Sequence, residues 1–408
     1  MGIKNIIRLF CFLVPLMAAG QKDSSELSLR YNKQTWVLAL PFDVEVDSVI
    51  GNWELSVGSR MRNTMSVQFY TGIRAGVDSL SKSGMDIRLV LVEHLEDDDL
   101  YRMQDVQGNL VVLSASAFIR ECTVRFTDSI NSCKIIGPFR GESSKELSNH
   151  SKTIQIINPV SRDLDVAGAK MLVAAAPGRG AEFSSLAFTA VTYKQVRPEL
   201  KFLLIDDSNA EVFVQLYERA GGNTADIQIV ELNSLSGKLP RSKNSEYHCV
   251  ISLKPDVLRI AKVLQQTRHT NPKRLELWVA GNEFNHSGID ALQLLKQPLV
   301  WAQSEALADG LIQELGDLVS TSNYWEVPRW ELIGMDMTFL LANFQGGLSN
   351  FQGPYRSYKW YQPSQTDGAL NMGAVLYRYE KELGFVKHWY PQQKETIPLE
   401  KLTDEITD

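Results

Sequence analysis

An α/β fold of two doubly wound parallel sheets follows from three observations. Short apolar segments alternate with amphipathic segments at helical spacing, the alternation restarts after Ser161, and 408 residues exceed what one hydrophobic core serves. Strand, crossover helix and parallel strand make the βαβ unit, and repeated units wind helices onto both faces of a sheet.

The elements follow in order. Trp36 to Leu40 is an apolar strand, and Phe69, Ile73, Val77 and Leu80 lie on one helical face that Gly84 ends. Ile87 to Val92 is the next strand, and a helix over Ser116 to Ile130 leads into the strand at Lys134. Two strands then run into proline turns, KIIGPFRGESS from Lys134 and IQIINPVS from Ile154. Ligands in open α/β sheets collect at the carboxyl ends of strands, so these turns mark a candidate site. After Ser161, Phe202 to Asp206 is a strand, and Val212, Phe213, Leu216, Tyr217 and Ala220 form a helical stripe capped by Gly221 and Gly222. Strands at Ile227 to Val230, His248 to Leu253 and Leu275 to Val279 follow, with Pro255 opening a helix that carries Val257, Ile260, Ala261 and Leu264 inward. Trp330 to Phe344 reads as a helix, and Ser357 to Trp360 with Ala374 to Tyr379 as a hairpin-like strand pair.

The first twenty residues read as an export signal. Lys4 and Arg8 precede the apolar run Leu9 to Met17, which is too short to span a bilayer, and small residues Ala18 to Gly20 follow. Cys11 lies inside the apolar run, so no lipobox cysteine stands at the cleavage point, and a periplasmic location is expected. Without Lys4 and Arg8 the chain has 40 basic against 48 acidic side chains, net −8, which disfavours nucleic acid and anionic lipid as partners. Cys122, Cys133 and Cys249 are an odd set; they read as small buried apolar residues rather than a disulfide framework.

Signatures of catalysis are missing from the sequence. The six histidines show no metal-ligand spacing, no nucleophile elbow is present, and Pro177 to Gly180 lacks the Lys-Ser/Thr of a phosphate loop and a clear preceding strand, so it reads as a turn. The expectation is a protein that is not an enzyme and carries no cofactor. Late aromatics read mainly as packing, with Trp360 and Tyr361 beside Lys359 kept as rings able to stack on a sugar.

The order of LALPF, FYTGIRAGVDSL, KIIGPF, IINPVS, FLLIDD, LELWVAGNEF and WELIGMDMTFLL resembles that of the type 1 periplasmic solute-binding proteins, in particular their divergent envelope relatives in Gram-negative bacteria. The resemblance covers about Tyr31 to Tyr390. It implies two Rossmann-like lobes joined by crossing hinge strands. Lobe one would take residues 31–159 and 304–353, lobe two residues 160–303 and 354–395, and 396–408 would be a tail.

It also implies a ligand-binding set. After the third and fourth strands of lobe one come Arg140, Gly141, Glu142 and Ser143, and Val160, Ser161 and Arg162, where family members that bind amino acids hold the carboxylate by hydroxyl and N–H donors. Lobe two would add Lys254, Asn282 and Glu283, the last at the place of the acidic side chain that faces an ammonium group. Val160 and Arg162 replace small or hydroxyl residues of that set. Each residue has a plain alternative: Arg140, Arg162 and Lys254 as solvated charges, Ser143 and Ser161 as caps, Glu283 as a rim charge. Two functions are therefore expected in parallel: a module that traps a small solute (amino acid, peptide or peptidoglycan fragment), or an envelope scaffold that binds a protein partner.

Overall fold

The computed structural model describes residues 34–42, 57–127, 132–178, 180–239, 247–254, 256–267, 275–281, 299–305, 329–344, 348, 350–353, 355–380 and 384–387. In chain order the first elements are β1 (Gln34–Leu40), α1 (Val57–Lys82), β2 (Ile87–Leu95), β3 (Leu100–Gln104), β4 (Leu110–Leu113), α2 (Ala115–Phe126), β5 (Ser132–Ile136), α3 (Gly141–His150), β6 (Gln155–Asn158) and β7 (Leu172–Pro177). Next come α4 (Ala181–Val196), β8 (Lys201–Ile205), α5 (Ala210–Arg219), β9 (Ile227–Val230), α6 (Leu235–Lys238), β10 (His248–Ser252), α7 (Val257–Thr267), β11 (Leu275–Ala280) and β12 (Leu299–Gln303). The chain then forms α8 (Arg329–Asn343), β13 (Phe351–Gln352), β14 (Ser357–Tyr358), β15 (Trp360–Tyr361), β16 (Ala369–Asn371), β17 (Val375–Glu380) and β18 (Gly384–Lys387). Contacts divide the chain into unit one, Met1–Val160, Gly168–Val173 and Ala308–Gln345, and unit two, Ser161–Ala167, Ala174–Leu307 and Gly346–Asp408.

In unit one, β6, β5, β1 and β2 are parallel neighbours, and β3 and β4 extend the sheet antiparallel. All seven residues of the central β1 are buried, as an apolar run covered on both faces requires. Helices α1 and α8 pack through glycines. A Cβ on Gly72 would collide with the Glu331 carbonyl oxygen, one on Gly334 with that of Phe69, and one on Gly76 with the Thr338 hydroxyl. Of the stripe read from sequence, Phe69, Ile73 and Val77 are buried on this helix and Leu80 is half-buried.

Unit two centres on the parallel order β12-β11-β10-β8-β9, with β17 antiparallel on β12 and β18 on β17. Alternate residues face opposite cores. Leu203, Val250, Leu277 and Trp301 enter one, while Phe202, Ile251, Trp278 and Val300 enter the other. A sheet with a core on each face is what the near-continuous apolar strands predict.

Four expectations need correction. The second helix ends at Phe126, where Thr127 is extended, rather than at Ile130; residues 128–131 lie outside the described set. Val212 is 46% exposed, so the stripe of α5 is the narrower pair Phe213 and Tyr217. The tail hairpin is re-paired: β14 bonds β13, β15 bonds β16, and β17 lies between β12 and β18. Pro177 does end a strand, β7, and Gly180 opens α4, an arrangement hidden in sequence because LVAAAP is short and alanine-rich. This strand–turn–helix is not an open N–H cradle, since Gly178 N–H donates to the Asn371 carbonyl at 2.8 Å. The signal segment and residues 396–408 lie outside the described residues, as do Pro255, Asn282 and Glu283.

Candidate functional site

The two proline turns of unit one are cross-braced. Asn158, fully buried at the end of β6, donates through Nδ2 to the carbonyls of Pro138 (2.9 Å) and Phe139 (3.1 Å) and to Ser144 Oγ (3.0 Å), and its Oδ1 accepts from Val160 N–H (2.9 Å). Ser144 Oγ in turn donates to the Pro138 carbonyl at 2.8 Å. Gly137 enters this turn at φ +93°, and a Cβ there would strike the Ala39 carbonyl oxygen, so glycine is required twice over. Sequence reasoning treated Asn158 as part of a turn motif. The structure makes it the member that satisfies the turn's polar atoms, each of which would otherwise be costly to bury.

The post-β5 candidates separate from one another. Arg140 stands at the N-cap position of α3 with its guanidinium half exposed, paired to Glu142 (3.1 Å) and donating to the Glu96 carbonyl (3.3 Å). Glu142 is exposed in the first helical turn, where a carboxylate is favoured by the helix dipole. Ser143 is buried, and its hydroxyl makes no hydrogen bond. At the β2–β3 turn His94 Nε2 lies 2.8 Å from Asp99 Oδ1, and the His94 ring packs on Tyr101, itself stacked on Phe118. Burial acts to raise the Asp99 carboxyl, yet its polar neighbours, His94 foremost, outweigh it and hold it below the ordinary range.

In unit two, Arg162 is locked by neighbours. Its Nε donates to the Pro177 carbonyl (3.0 Å), and its Nη2 contacts Glu182 Oε1 (3.1 Å) and Ser304 Oγ (2.7 Å). Ser304 also donates to Glu182, whose side chain is buried at the N-terminal turn of α4. A second buried pair lies nearby in the chain: Arg356 contacts Glu305 at 2.6 Å, and Tyr355 Oη donates to the same carboxylate at 3.0 Å. Glu182, Ser304, Glu305 and Arg356 were missed by sequence reasoning. Their partners are 20 to 142 residues away, and no local spacing marks them.

The remaining candidates are dispersed. Ser161 is half-buried, and Lys254 is exposed just beyond β10, its carbonyl accepting from Ser252 Oγ at 3.1 Å. Trp360 stacks on Tyr358, which stacks on Phe351, and the Lys359 ammonium lies 3.3 Å from the centroid of the Phe188 ring. Burial pulls that amine down to about 8. Cys122, Cys133 and Cys249 are free and buried; burial pushes the Cys133 thiol up to about 12 and raises the Cys122 and Cys249 thiols well above the ordinary range. Among the described residues no group of three or more His, Cys, Asp or Glu is placed to hold a metal ion, and no helix is long and apolar enough to cross a membrane.

No protein-family model and no curated protein matches the chain in sequence. Solved structures do match in shape. A Rhodospirillum rubrum protein assigned as a branched-chain amino acid ABC transporter shares 12% identity over 87% of this chain and 100% of its own, with a TM-score of 0.51. The C-domain of Haemophilus influenzae LpoA, a regulator of PBP1A, aligns over 88% of this chain and all of its own at 11% identity and a TM-score of 0.45. The chain spans 64% of full-length LpoA, with a TM-score of 0.46. At these identities the likeness speaks to architecture, and it agrees with the two parallel-dominated sheets and their element order. The chain has the type 1 periplasmic-binding-protein fold.

Proposed function

We propose that the protein is an exported, non-enzymatic binding protein that captures a small solute of the cell envelope, a peptide or peptidoglycan fragment rather than a free amino acid. The observation that carries this reading is the likeness in fold, over 87% of this chain and all of its own, to a protein assigned as a branched-chain amino acid ABC transporter. In unit one the candidate ligand residues are Arg140 and Glu142 after β5, both reaching solvent; in unit two they are Ser161, Lys254, Asn282 and Glu283.

The ligand class follows from the donors already spent. Arg162 is tied to Glu182 and Ser304, and Asn158 braces its own turn. A free amino acid depends on such donors for its carboxylate, whereas a longer ligand brings further polar and apolar surface. A second reading, an envelope scaffold that binds a protein partner through its outer surface, draws on the same observation, because internally satisfied donors suit a fold that no longer closes on a solute.

A thermal-shift screen of the mature chain tests the reading. A ligand at a hundred times its Kd stabilises by about 2.7 kcal/mol. Stabilisation by peptides or muropeptides and none by free amino acids is expected. No shift with any of them, together with reproducible in-cell crosslinking to one envelope protein, replaces the first reading by the second.

A further inference from the structure

The sheet of unit one ends on an open strand. In the order β1-β2-β3-β4, β4 has a neighbour on one side only. The hydrogen-bond phase of the β3–β4 hairpin fixes which groups point outward. Asp105 N–H donates to the Asn109 carbonyl at 2.8 Å, and the same ladder sets Met103 opposite Val111 and Tyr101 opposite Leu113. Bonded and non-bonded pairs alternate in an antiparallel ladder, so Val111 and Leu113 bond to β3 while the N–H and C=O groups of Leu110 and Val112 point away from it. Among the described residues none takes up those four groups.

The side chains leave this edge apolar. Leu110 is 69% and Val112 50% exposed, on the face that carries the Glu93–Arg102 ion pair, while Val111 and Leu113 turn half-buried to the other face. Edge strands commonly hold off pairing with a lysine, a proline or a bulge. LVVL has no charge and no proline, and its register with β3 runs unbroken. The turn beside it is open as well: a Cβ on Gly108 would meet nothing within 4 Å.

We propose that β4 is a self-association edge, which pairs antiparallel with β4 of a second copy of this chain about a two-fold axis at Val111. A row of alternating N–H and C=O groups is satisfied by another extended strand, so the occupant is a strand. A second copy fits because LVVL is complementary to itself. Leu110 then lies opposite Val112 of the second copy and Val112 opposite its Leu110. All four outward groups of each strand are bonded, and the two exposed side chains meet apolar partners on one face. No like charges are brought together, since the strand carries none. The contact uses the same edge on both copies, so it closes at two and does not propagate. Four residues from each copy fall short of the roughly 1,000 Å² of a lasting interface, so the dimer is reversible and forms at high concentration.

Sedimentation velocity of the chain from roughly 1 μM to 1 mM tests this. The average mass should rise toward that of a dimer and no further. Val112→Pro keeps the ladder to β3 but deletes an outward N–H, and Leu110→Lys sets an ammonium group opposite Val112 of the second copy. Each should weaken association about tenfold or more, with melting curves as in the wild type. Leu258→Lys, at a residue 81% exposed on α7 of unit two, should leave association unchanged. Under a mild thiol oxidant Val111→Cys should cross-link to its own copy about tenfold faster than Val112→Cys. Cα atoms facing each other at the axis stand about 4.5 Å apart, within disulfide reach, whereas Val112 and its copy are diagonal neighbours about 7–8 Å apart. A chain that stays monomeric throughout, association unaltered in Leu110→Lys, or cross-linking at Val112→Cys as fast as at Val111→Cys overturns the proposal.

Discussion

The end of β6 in unit one and the end of β12 in unit two face the same problem and solve it with different chemistry. At β6, Asn158 gathers two carbonyls, one hydroxyl and one backbone N–H around a neutral amide. At β12, Ser304 is held by an ion pair, Arg162 with Glu182, drawn from segments far apart in sequence. A neutral brace costs little to bury and each bond contributes about 1 kcal/mol. The ionic network must offset the desolvation of the buried Glu182 carboxylate, so its members depend on one another more steeply than their number of bonds suggests.

The largest effect should come from breaking that dependence. Arg162→Ala leaves the Glu182 carboxylate buried without its cation and should lower the unfolding free energy by about 3 kcal/mol in urea titration. Combining Arg162→Met with Glu182→Gln should recover at least half of the loss; a double variant as unstable as the single one would mean the pair is a net stabiliser. Asn158→Ala should cost about 2 kcal/mol, because it removes the donor to the Phe139 carbonyl and the acceptor for the Val160 N–H, while Ser144 Oγ and the Pro138 carbonyl keep each other. A loss larger than that of Arg162→Ala would reverse the comparison.

Lys134 sharpens it from the other side, as a buried charge with no carboxylate beside it. Its ammonium lies under the Leu341 carbonyl at 3.5 Å and over the Phe344 ring, and burial pulls the amine down to about 8. The folded state thus resists protonation that the unfolded chain, titrating near 10.4, accepts. Stability rises with pH from about 8 to about 10.4 and the full penalty is present below that window. Lys134→Met should therefore raise stability at neutral pH by about 1–2 kcal/mol, with the advantage shrinking to nothing in alkali. An advantage that grows with pH would contradict the assignment. Smallest of all, Arg140→Ala should change stability by less than about 0.5 kcal/mol, since both Arg140 and Glu142 lie in water.

The fold was legible where apolar period and punctuation agree. Trp36 to Leu40, the Phe69 to Val77 stripe and the strand stopping at Gly281 each carry their own signal. β7 with α4 did not, because LVAAAP and AEFSSLAFTAV have neither a clear polar face nor a strong turn mark, and the tail strands are two or three residues long. At the candidate site, the sequence identified the turns but not the use of their donors. Arg162 carries the donor groups the family resemblance asks for, yet which acceptor its guanidinium meets depends on Glu182 and Ser304, placed by packing rather than by spacing. Asn158, read as one letter of a proline turn, is the residue on which that turn's geometry rests.

Calorimetric titration of the chain with leucine, isoleucine and valine tests most directly the proposed reading, in which Arg162 and Asn158 are engaged within the fold and leave no carboxylate site for a free amino acid. The account predicts no saturable heat with these amino acids. Saturable one-to-one binding that disappears in Ser143→Ala and Arg162→Met would contradict it.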